Sequence, residues 1–561
     1  MAAESFGGDR QDPTSRPSLL WTPLFAIAAT AFAVEIPFFF LGTPSGHDVE
    51  FHLYSWLEVV SQWKHGILYP RWASLAHFAY GEPRFVFYPP ASWTLGATLS
   101  LIFPWRFASD IYIWIVLLLA GVSMFALARR WLNRLDATVA AMLYAASPYH
   151  LVIVYWRSAF AELLASCLVP LLLLCVLKAI DDGWRAVLPL GALLAAAWLT
   201  NAPAAVMMHY SMALLLAFFA WRRSSPRLLM IGVSAVALGA LLSSFYLLPA
   251  IYEQRWIEIE QAVSPGSRPA DNFLFSHTTD PDHDAFNRLM SWVAVLEMSV
   301  TVAAFAIARR WRETNRQLWS ALLTWASACA VLLFPVSSLL WKFLPKMQFM
   351  QFPWRWLLCL SMISTLVVSL ASWKGRWWWR AAVCALSILV IVLAWHRIQR
   401  PWWDNAADLR EMQDNMEAET GYEGTDEYTP AGGTPASIDK DARAVTVAGP
   451  AHASIRVSRW GVESKMFTAD MSAPDKLALR LFRYPAWRAE VNGHVVQTES
   501  SETGQIIVPV TAGINRVQLR FVRTPDRTAG GWISFLTLFV LILWKLGSAR
   551  RHRTSADHGL S

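Results

Sequence analysis

SLLWTPLFAIAATAFAVEIPFFFLGTPSGHD, residues 18–48, begins with an apolar run over 19–41 and ends on a histidine and an aspartate. A helix needs roughly 20 mostly apolar residues to cross a bilayer, so this run is long enough. The run exceeds the apolar core of a secretory signal, and GTPSGHD offers no convincing small-residue cleavage site; a retained first span is expected. The rest of the chain repeats the theme. Of its 561 residues 55% are hydrophobic and 16% charged, against roughly 25% charged in an average soluble protein. The 31 tryptophans fit, because indoles favour the boundary between lipid and water. WKGRWWWR (373–380) and PWW (401–403) read as such interfacial anchors.

Further apolar segments lie near 108–128, 136–155, 159–180, 186–201, 203–221, 227–250, 289–308, 317–335, 353–373, 378–396 and 531–547, the fourth of these being short. With 19–41 they make about twelve spans. Basic clusters test the count. Arg129 and Arg130, Arg222 and Arg223, Arg309, Arg310 and Arg312, then Lys374 and Arg376, follow every second span, and the tail carries Lys545, Arg550, Arg551 and Arg553. All are cytoplasmic if the N-terminus is inside. The same clusters account for the net charge of +7 without a nucleic-acid partner. Cys167, Cys175, Cys329, Cys359 and Cys384 all fall in apolar runs, with neither a disulfide framework nor metal-type spacing.

The expected layout is a cytoplasmic N-terminus (1–18), a membrane domain (19–396) with outer regions 42–107 and 251–288, an acidic linker (397–436), a β-sandwich (437–528), a last span (531–547) and a basic cytoplasmic tail (548–561). VEFHLYSWLEVVSQWKHG spaces Phe51, Leu53, Trp56, Leu57, Val60 and Trp63 as an amphipathic helix lying at the interface. Pro89 and Pro90 precede a second, short apolar stretch (91–104), expected on or partly within the membrane surface. Residues 401–435 read as a turn-rich acidic loop. Beyond 437 the period becomes two, as in LALRLF (477–482) and RVQLRFV (516–522). Asn492–Gly493 is a strong hairpin signal between strands. Trp487, Leu479, Val517 and Phe521 are the expected sandwich core.

The chemistry concentrates in the outer regions. Asp48 sits just past the first span, where a carboxylate can take a proton from an attacking sugar hydroxyl; Glu50 is the alternative base. His47 and His52 can orient that acid or contact phosphate, but HDVEFH is not the H-E-x-x-H zinc pattern. An acidic helix cap is the plain structural reading of Asp48. Arg157 and Glu162 are costly inside or beside a span and read as substrate contacts or as structural ion-pair members, though five apart on a helix they are poor mutual partners. Arg355, in QFPWRW, is the first choice to hold a phosphate, with Arg71, Arg84, Lys342 and Lys346 behind it. In SHTTDPDHD (276–284), Asp282, His283 and Asp284 are weak metal candidates beside His277 and Asp280. Tyr422, Glu427 and Tyr428, around EYTP, can fold over a site and contact sugar.

GHDVEFHL, YPRW, GEPRFVFYPP, WRSAFAELLA, QFPWRW and EYTP together resemble the polytopic bacterial family labelled 6-pyruvoyl-tetrahydropterin synthase-related, over roughly residues 20–430. The tail LFRYPAWRAEVNGHVV resembles an outer β-domain appended to related membrane proteins. The resemblance implies the GT-C architecture of glycosyltransferases, a polyprenyl-phosphate sugar donor, an extracytoplasmic glycan, lipid or protein acceptor, and an acid in the first outer loop, here Asp48. The pterin label is not to be taken chemically, since a soluble pterin synthase uses a compact zinc site. No cofactor is expected beyond the lipid-linked donor. The expected protein is thus a polytopic helical membrane protein of the bacterial inner membrane with its active face in the periplasm. The rival readings are a flippase for lipid-linked sugars, whose signature is ionisable groups deep in several spans, and a non-catalytic glycan-binding scaffold. Glu162 is the main such group visible in sequence.

Overall fold

The computed structural model describes residues 21–371, 377–397 and 402–557. The N-terminus 1–18 and the pair Lys374 and Arg376 lie outside them. The chain divides into two compact units, taken here separately. One comprises residues up to Tyr69, Pro89–Ser234 and Glu260–Thr420; the other Pro70–Tyr88, Ala235–Ile259 and residues from Gly421 onward. The segments 42–107 and 251–288, expected as outer regions, are each shared between units.

The protein is mostly helical and crosses the membrane several times. Among the described residues eight helices are long and apolar enough to span, or up to ten if each of two bent pairs is one span. Helix occupies each of the twelve expected segments, with differences in form. The expected spans 159–180 and 186–201 run on as one helical stretch, Phe160–Thr200, with Gly183 at φ +60° between them. The segment 317–335 ends at Leu332 and turns by 95° into Pro335–Phe343, because Pro335 cannot continue the hydrogen-bond ladder. The segment 227–250 bends by 81° between Leu242 and Ser244. Pro281 starts a 27-residue helix eight residues ahead of the expected span, capped by the Asp280 carboxylate on the Asp282 amide at 2.9 Å.

In the first unit, Val49–Lys64 is helical as the periodicity requires, but it packs within the protein. Its buried face is Val49, His52, Leu53, Trp56 and Val59, while Phe51, Leu57, Val60 and Trp63 are only partly covered. The helix Pro90–Ile102, with proline at its first position, lies against it. Gly96 permits the approach, since a Cβ there would stand 2.0 Å from the Trp56 ring. The Trp56 ring stacks on Phe160 at 5.4 Å and lies 5.1 Å from Tyr112. The acidic linker is not a plain loop either. Ala406–Glu417 is a helix closed by a capping box of Asn405 and Asp408, with Leu409 and Met412 buried. Ahead of it, β1 (Thr43–Pro44) pairs with β2 (Trp403–Asp404).

The second unit holds the β-sandwich. β3 (Val445–Val447), β6 (Asp475–Phe482), β10 (Gln505–Val510) and β9 (Glu499–Ser500) form one sheet in the order 3-6-10-9. β4 (Ala453–Trp460), β5 (Ser464–Met471), β11 (Gly513–Phe521), β7 (Trp487–Val491) and β8 (His494–Val496) form the other, in the order 4-5-11-7-8. Leu477, Leu479, Leu481, Phe467, Val517 and Leu519 fill the space between them, joined by Trp72, Tyr80 and Ile257. Trp487 is buried as expected, and Phe521 partly so. The β7–β8 turn has Asn492 and Gly493 at φ +51° and +84°, the two left-handed residues of a type I′ hairpin. Glu253 ties the sandwich to the last span, Pro525–Gly547. It receives Arg527 Nε and Nη2 (2.6 and 2.7 Å), the Thr524 hydroxyl (3.2 Å) and the Tyr484 hydroxyl.

Leu519→Ala should therefore cost roughly 2–5 kcal/mol, read as a lowered thermal midpoint of the full-length protein in detergent. Ile514→Ala on the exposed face of the same strand should shift stability by less than about 0.5 kcal/mol.

Candidate active site

Three of the quoted motifs meet in the first unit. The helix through Tyr149 loosens into a π-turn, Ile153–Arg157, and ends at Ser158 in the left-handed region (φ 48°, ψ 34°). That break leaves the Trp156 and Arg157 carbonyls free. They accept the amides of His47 (3.2 Å) and Asp48 (2.9 Å), while the Ser158 hydroxyl accepts the Gly46 amide (3.0 Å) and donates to the Pro44 carbonyl (2.9 Å). Position 46 is glycine because a Cβ would lie 2.6 Å from the Trp156 carbonyl oxygen. Backbone thus lashes the loop carrying Asp48 to the loop carrying Arg157.

The side chains form an ionic chain. The Asp48 carboxylate faces Arg157 Nη2 at 3.5 Å; Arg157 Nη1 donates to Glu162 Oε2, which also receives Arg355 Nε at 3.2 Å. The Tyr149 hydroxyl donates to Glu162 Oε1 at 2.5 Å. Arg355 Nη1 is further held by the Met350 carbonyl (2.6 Å) and Gln351 Oε1 (3.3 Å). Phe352 and Trp354 supply ring faces: Arg157 lies 4.7 Å from the Trp354 centroid and Arg355 4.8 Å from Phe352. Arg157 and Glu162 do pair, against the expectation from their spacing, because Ser158 and Ala159 leave helical geometry between them. The sequence could not show that break, nor Tyr149 and Gln351 as partners.

Exposure grades along the chain. The Glu162 side chain is 1% accessible and the Asp48 side chain 28%. Burial works against an ionised Asp48, but the His47 hydrogen bond (2.6 Å) and the charge of Arg157 overrule it and hold the carboxyl well below the usual carboxylate range. His47 itself is exposed. Glu50 is exposed in the first turn of Val49–Lys64. His52 is buried, and its Nε2 accepts the Phe160 amide at 3.2 Å, so that nitrogen serves the scaffold. Three acids missed in sequence, Glu35, Asp110 and Glu297, also lie in spanning segments; Glu35 and Glu297 are buried.

The remaining expected residues are placed elsewhere. Asp282, His283 and Asp284 belong to the helix start at Pro281; Asp284 accepts from the Thr278 amide (2.6 Å) and faces His277 (3.2 Å). Among the described residues no group of three or more His, Cys, Asp or Glu is arranged to hold a metal ion, so the cluster seen in sequence does not converge. Lys342 and Lys346 lie over Phe343 and Phe349. Arg71, Arg84 and Tyr428 belong to the second unit. Arg71 donates to the Phe245 carbonyl (3.3 Å), the oxygen that Pro249 leaves without an amide donor. Tyr428 stacks on Phe87 at 6.0 Å.

Arg84 is part of a second buried network, built from GEPR and the EYTP region. Glu82 receives Arg84 Nε (2.5 Å) and the Thr425 amide (2.8 Å), and faces His77 Nε2 at 2.9 Å. Burial opposes the Glu82 charge, but Arg84 and His77 outweigh it and bring the carboxyl down to about 2.

Glu162→Gln removes the shared carboxylate of two buried guanidinium groups and should cost roughly 3–5 kcal/mol, more than Asp48→Asn, by thermal unfolding in detergent. For Glu82, whose folded value is depressed, the stabilisation is complete above the unfolded value and fades as pH falls through 4.5 toward 2. About 3 kcal/mol should be lost over that window, and Glu82→Gln should flatten that part of the stability profile.

The comparisons with known proteins stand beside this geometry. No curated protein matches the chain. Two crystal structures of the Archaeoglobus fulgidus oligosaccharyltransferase, in the apo form and in complex with Zn and sulfate, align at TM-scores of 0.41 and 0.38 and identities of 13% and 15%. Each alignment covers 72% of this chain and 56% or 53% of the other, so the chain spans little more than half the length of those proteins. At such scores the likeness carries no argument. The model of the 6-pyruvoyl-tetrahydropterin synthase related domain, a membrane protein family, matches residues 85–399, leaving Asp48 and the sandwich outside. That is more than half of the chain and includes Arg157, Glu162 and Arg355; the protein belongs to the 6-pyruvoyl-tetrahydropterin synthase-related family of membrane proteins.

Proposed function

We propose that this multi-pass protein is a glycosyltransferase of GT-C architecture. It moves a sugar from a polyprenyl-phosphate donor to an extracytoplasmic glycan, lipid or protein acceptor, from the bacterial inner membrane. One observation carries the reading: of four charged groups in one chain, three are closed in and Asp48 alone is open to a second molecule. Two guanidinium groups beside it suit an anionic carrier head, since arginine binds phosphate through two parallel hydrogen bonds.

The step is an exchange at the anomeric carbon. Asp48 accepts the proton of the acceptor hydroxyl, the new carbon–oxygen bond forms, and the bond to the phosphate oxygen breaks. The polyprenyl phosphate leaves with its charge opposed by Arg157 and Arg355. A carboxylate held as low as Asp48 is a weak base while Arg157 faces it. A donor phosphate that draws Arg157 toward itself removes part of that restraint, the His47 hydrogen bond remaining, and brings the carboxyl closer to the useful range. Asp48 has the partners such a base needs, whereas Glu50 stands exposed on the helix.

Glu35 and Glu297 favour a second reading, a flippase for the same lipid-linked sugar, because buried acids inside spans mark ion or substrate paths. Asp48→Asn in proteoliposomes separates the two. Sugar transfer should fall about 10²–10⁴-fold with the thermal midpoint and any lipid translocation kept, and Glu50→Gln should stay within about threefold of wild type. Full transfer activity in Asp48→Asn ends the base assignment; loss of translocation in Glu297→Gln with no transfer by wild type supports the flippase.

A further inference from the structure

The five-stranded sheet of the sandwich turns one face inward and leaves the other bare. Strand alternation and register assign the bare face. Arg456 and Arg459 project from β4, Arg516 and Arg520 from β11 and Arg488 from β7, and all five are exposed. Glu490 on β7 and Asp470 on β5 are the acids on the same face. None of the five arginines has an ion pair among the described residues; Arg520 donates to Gln518 Oε1 at 3.1 Å.

The register makes this an ordered array. Arg488 and Arg520 are direct cross-strand partners, which puts their Cβ atoms about 5 Å apart. Like charges so placed are destabilising unless an anion lies between them. Arg456 and Arg516 both register on Thr468 from opposite sides, two strand spacings or about 9.5 Å apart. Along β11, Arg520 lies four positions beyond Arg516, about 13 Å. Arg459 lies between the two ranks, paired with Met466. No aromatic ring stands on this face among the described residues, so it lacks the stacking surface that a neutral sugar needs.

We propose that this face binds a linear polyanionic glycan, one carrying phosphodiester or uronate groups at regular intervals. Charge complementarity and repeat decide the occupant. An anionic bilayer is the competitor, because β11 ends at Phe521 and the last span starts at Pro525. A bilayer surface at that end meets the rank of Arg488 and Arg520, but the rank of Arg456 and Arg516 stands about 13 Å further along the strands. A chain running along the strands meets both. The inference does not rest on sugar transfer; it holds equally for a scaffold.

The test uses the full-length protein in nanodiscs of phosphatidylcholine, with polygalacturonate, linear polyphosphate and neutral dextran as probes in a binding assay. At least one polyanion should bind, more weakly as salt rises. Arg456→Glu, Arg516→Glu and Arg520→Glu combined should weaken it by about tenfold or more. The same three positions changed to lysine should keep most of the affinity, with the thermal midpoint not lowered in either variant. Failure of both polyanions, binding untouched by charge reversal, or equal binding of dextran overturns the proposal. So does a reversal that releases phosphatidylglycerol-rich vesicles while leaving polyanion binding intact.

Discussion

A carboxylate at Glu162, in the first turn of a long apolar helix, cannot stay charged without opposite charge at contact distance. An unpaired buried charge is among the most costly things a fold can contain. Tyr149 and Arg157, from the end of the preceding helix, and Arg355, from a distant segment, answer that demand. Meeting it dictates local shape. The helix before Glu162 opens into a π-turn and Ser158 goes left-handed so that Arg157 can turn back. Gln351 takes φ +63° where the chain brings Arg355 in. The freed carbonyls at 156 and 157 then fix the loop of His47 and Asp48. One electrostatic requirement in a span thereby sets the position of an acid outside it.

Periodicity made the segments legible, because a 3.6-residue apolar pattern in a long run and a two-residue pattern in the tail each have one good structural answer. The Asn492–Gly493 hairpin was equally readable, since few residues tolerate both left-handed positions. What escaped reading was set by tertiary partners. The bend near Ser243 was hidden in an unbroken apolar run, with only Pro249 as a sign. The capping box at Asn405 and Asp408 was written in the chain but lay in a stretch too acidic to suggest a helix. Arg157 and Glu162 were visible as costly residues, yet a spacing of five argued against a pair that the helix break creates. Of the apolar face that periodicity gives Val49–Lys64, Leu53 and Trp56 are buried, Trp56 in close fit against Gly96, whereas Phe51, Leu57, Val60 and Trp63 are only partly covered.

The second unit solves a similar problem with different pieces. Glu82 is buried and takes charge from Arg84 and His77. His77, Phe78 and Ala79 stand at φ +50°, +53° and +66°, a left-handed run that costs roughly 1–2 kcal/mol per residue. Tyr422 accepts the Phe78 amide, Leu75 that of Ala79, and Arg480 binds the Phe78 carbonyl, so the strained turn is held from several sides. Motifs that read as one family signature thus sort into two ionic cores. GHDVEFHL, WRSAFAELLA and QFPWRW build the first, and GEPR with the EYTP region builds the second.

The difference between those cores bears on which one can work on a substrate. Glu82 is enclosed, as are Arg84 and His77, so every charge is spent within the protein. The first core is balanced too, two guanidinium groups against two carboxylates, but its ends are unequal. Glu162 is held by three donors in the interior, whereas Asp48 has one long contact to Arg157 and an exposed histidine. In the proposed transfer, an arriving phosphate competes for the arginines with the carboxylate held least, which is Asp48. Displacing it leaves an ionised group with fewer partners, at the open end, next to the newcomer. In the proposed transfer, the core with one weak contact admits an anion and readies a base in the same movement, whereas the core with none holds its shape.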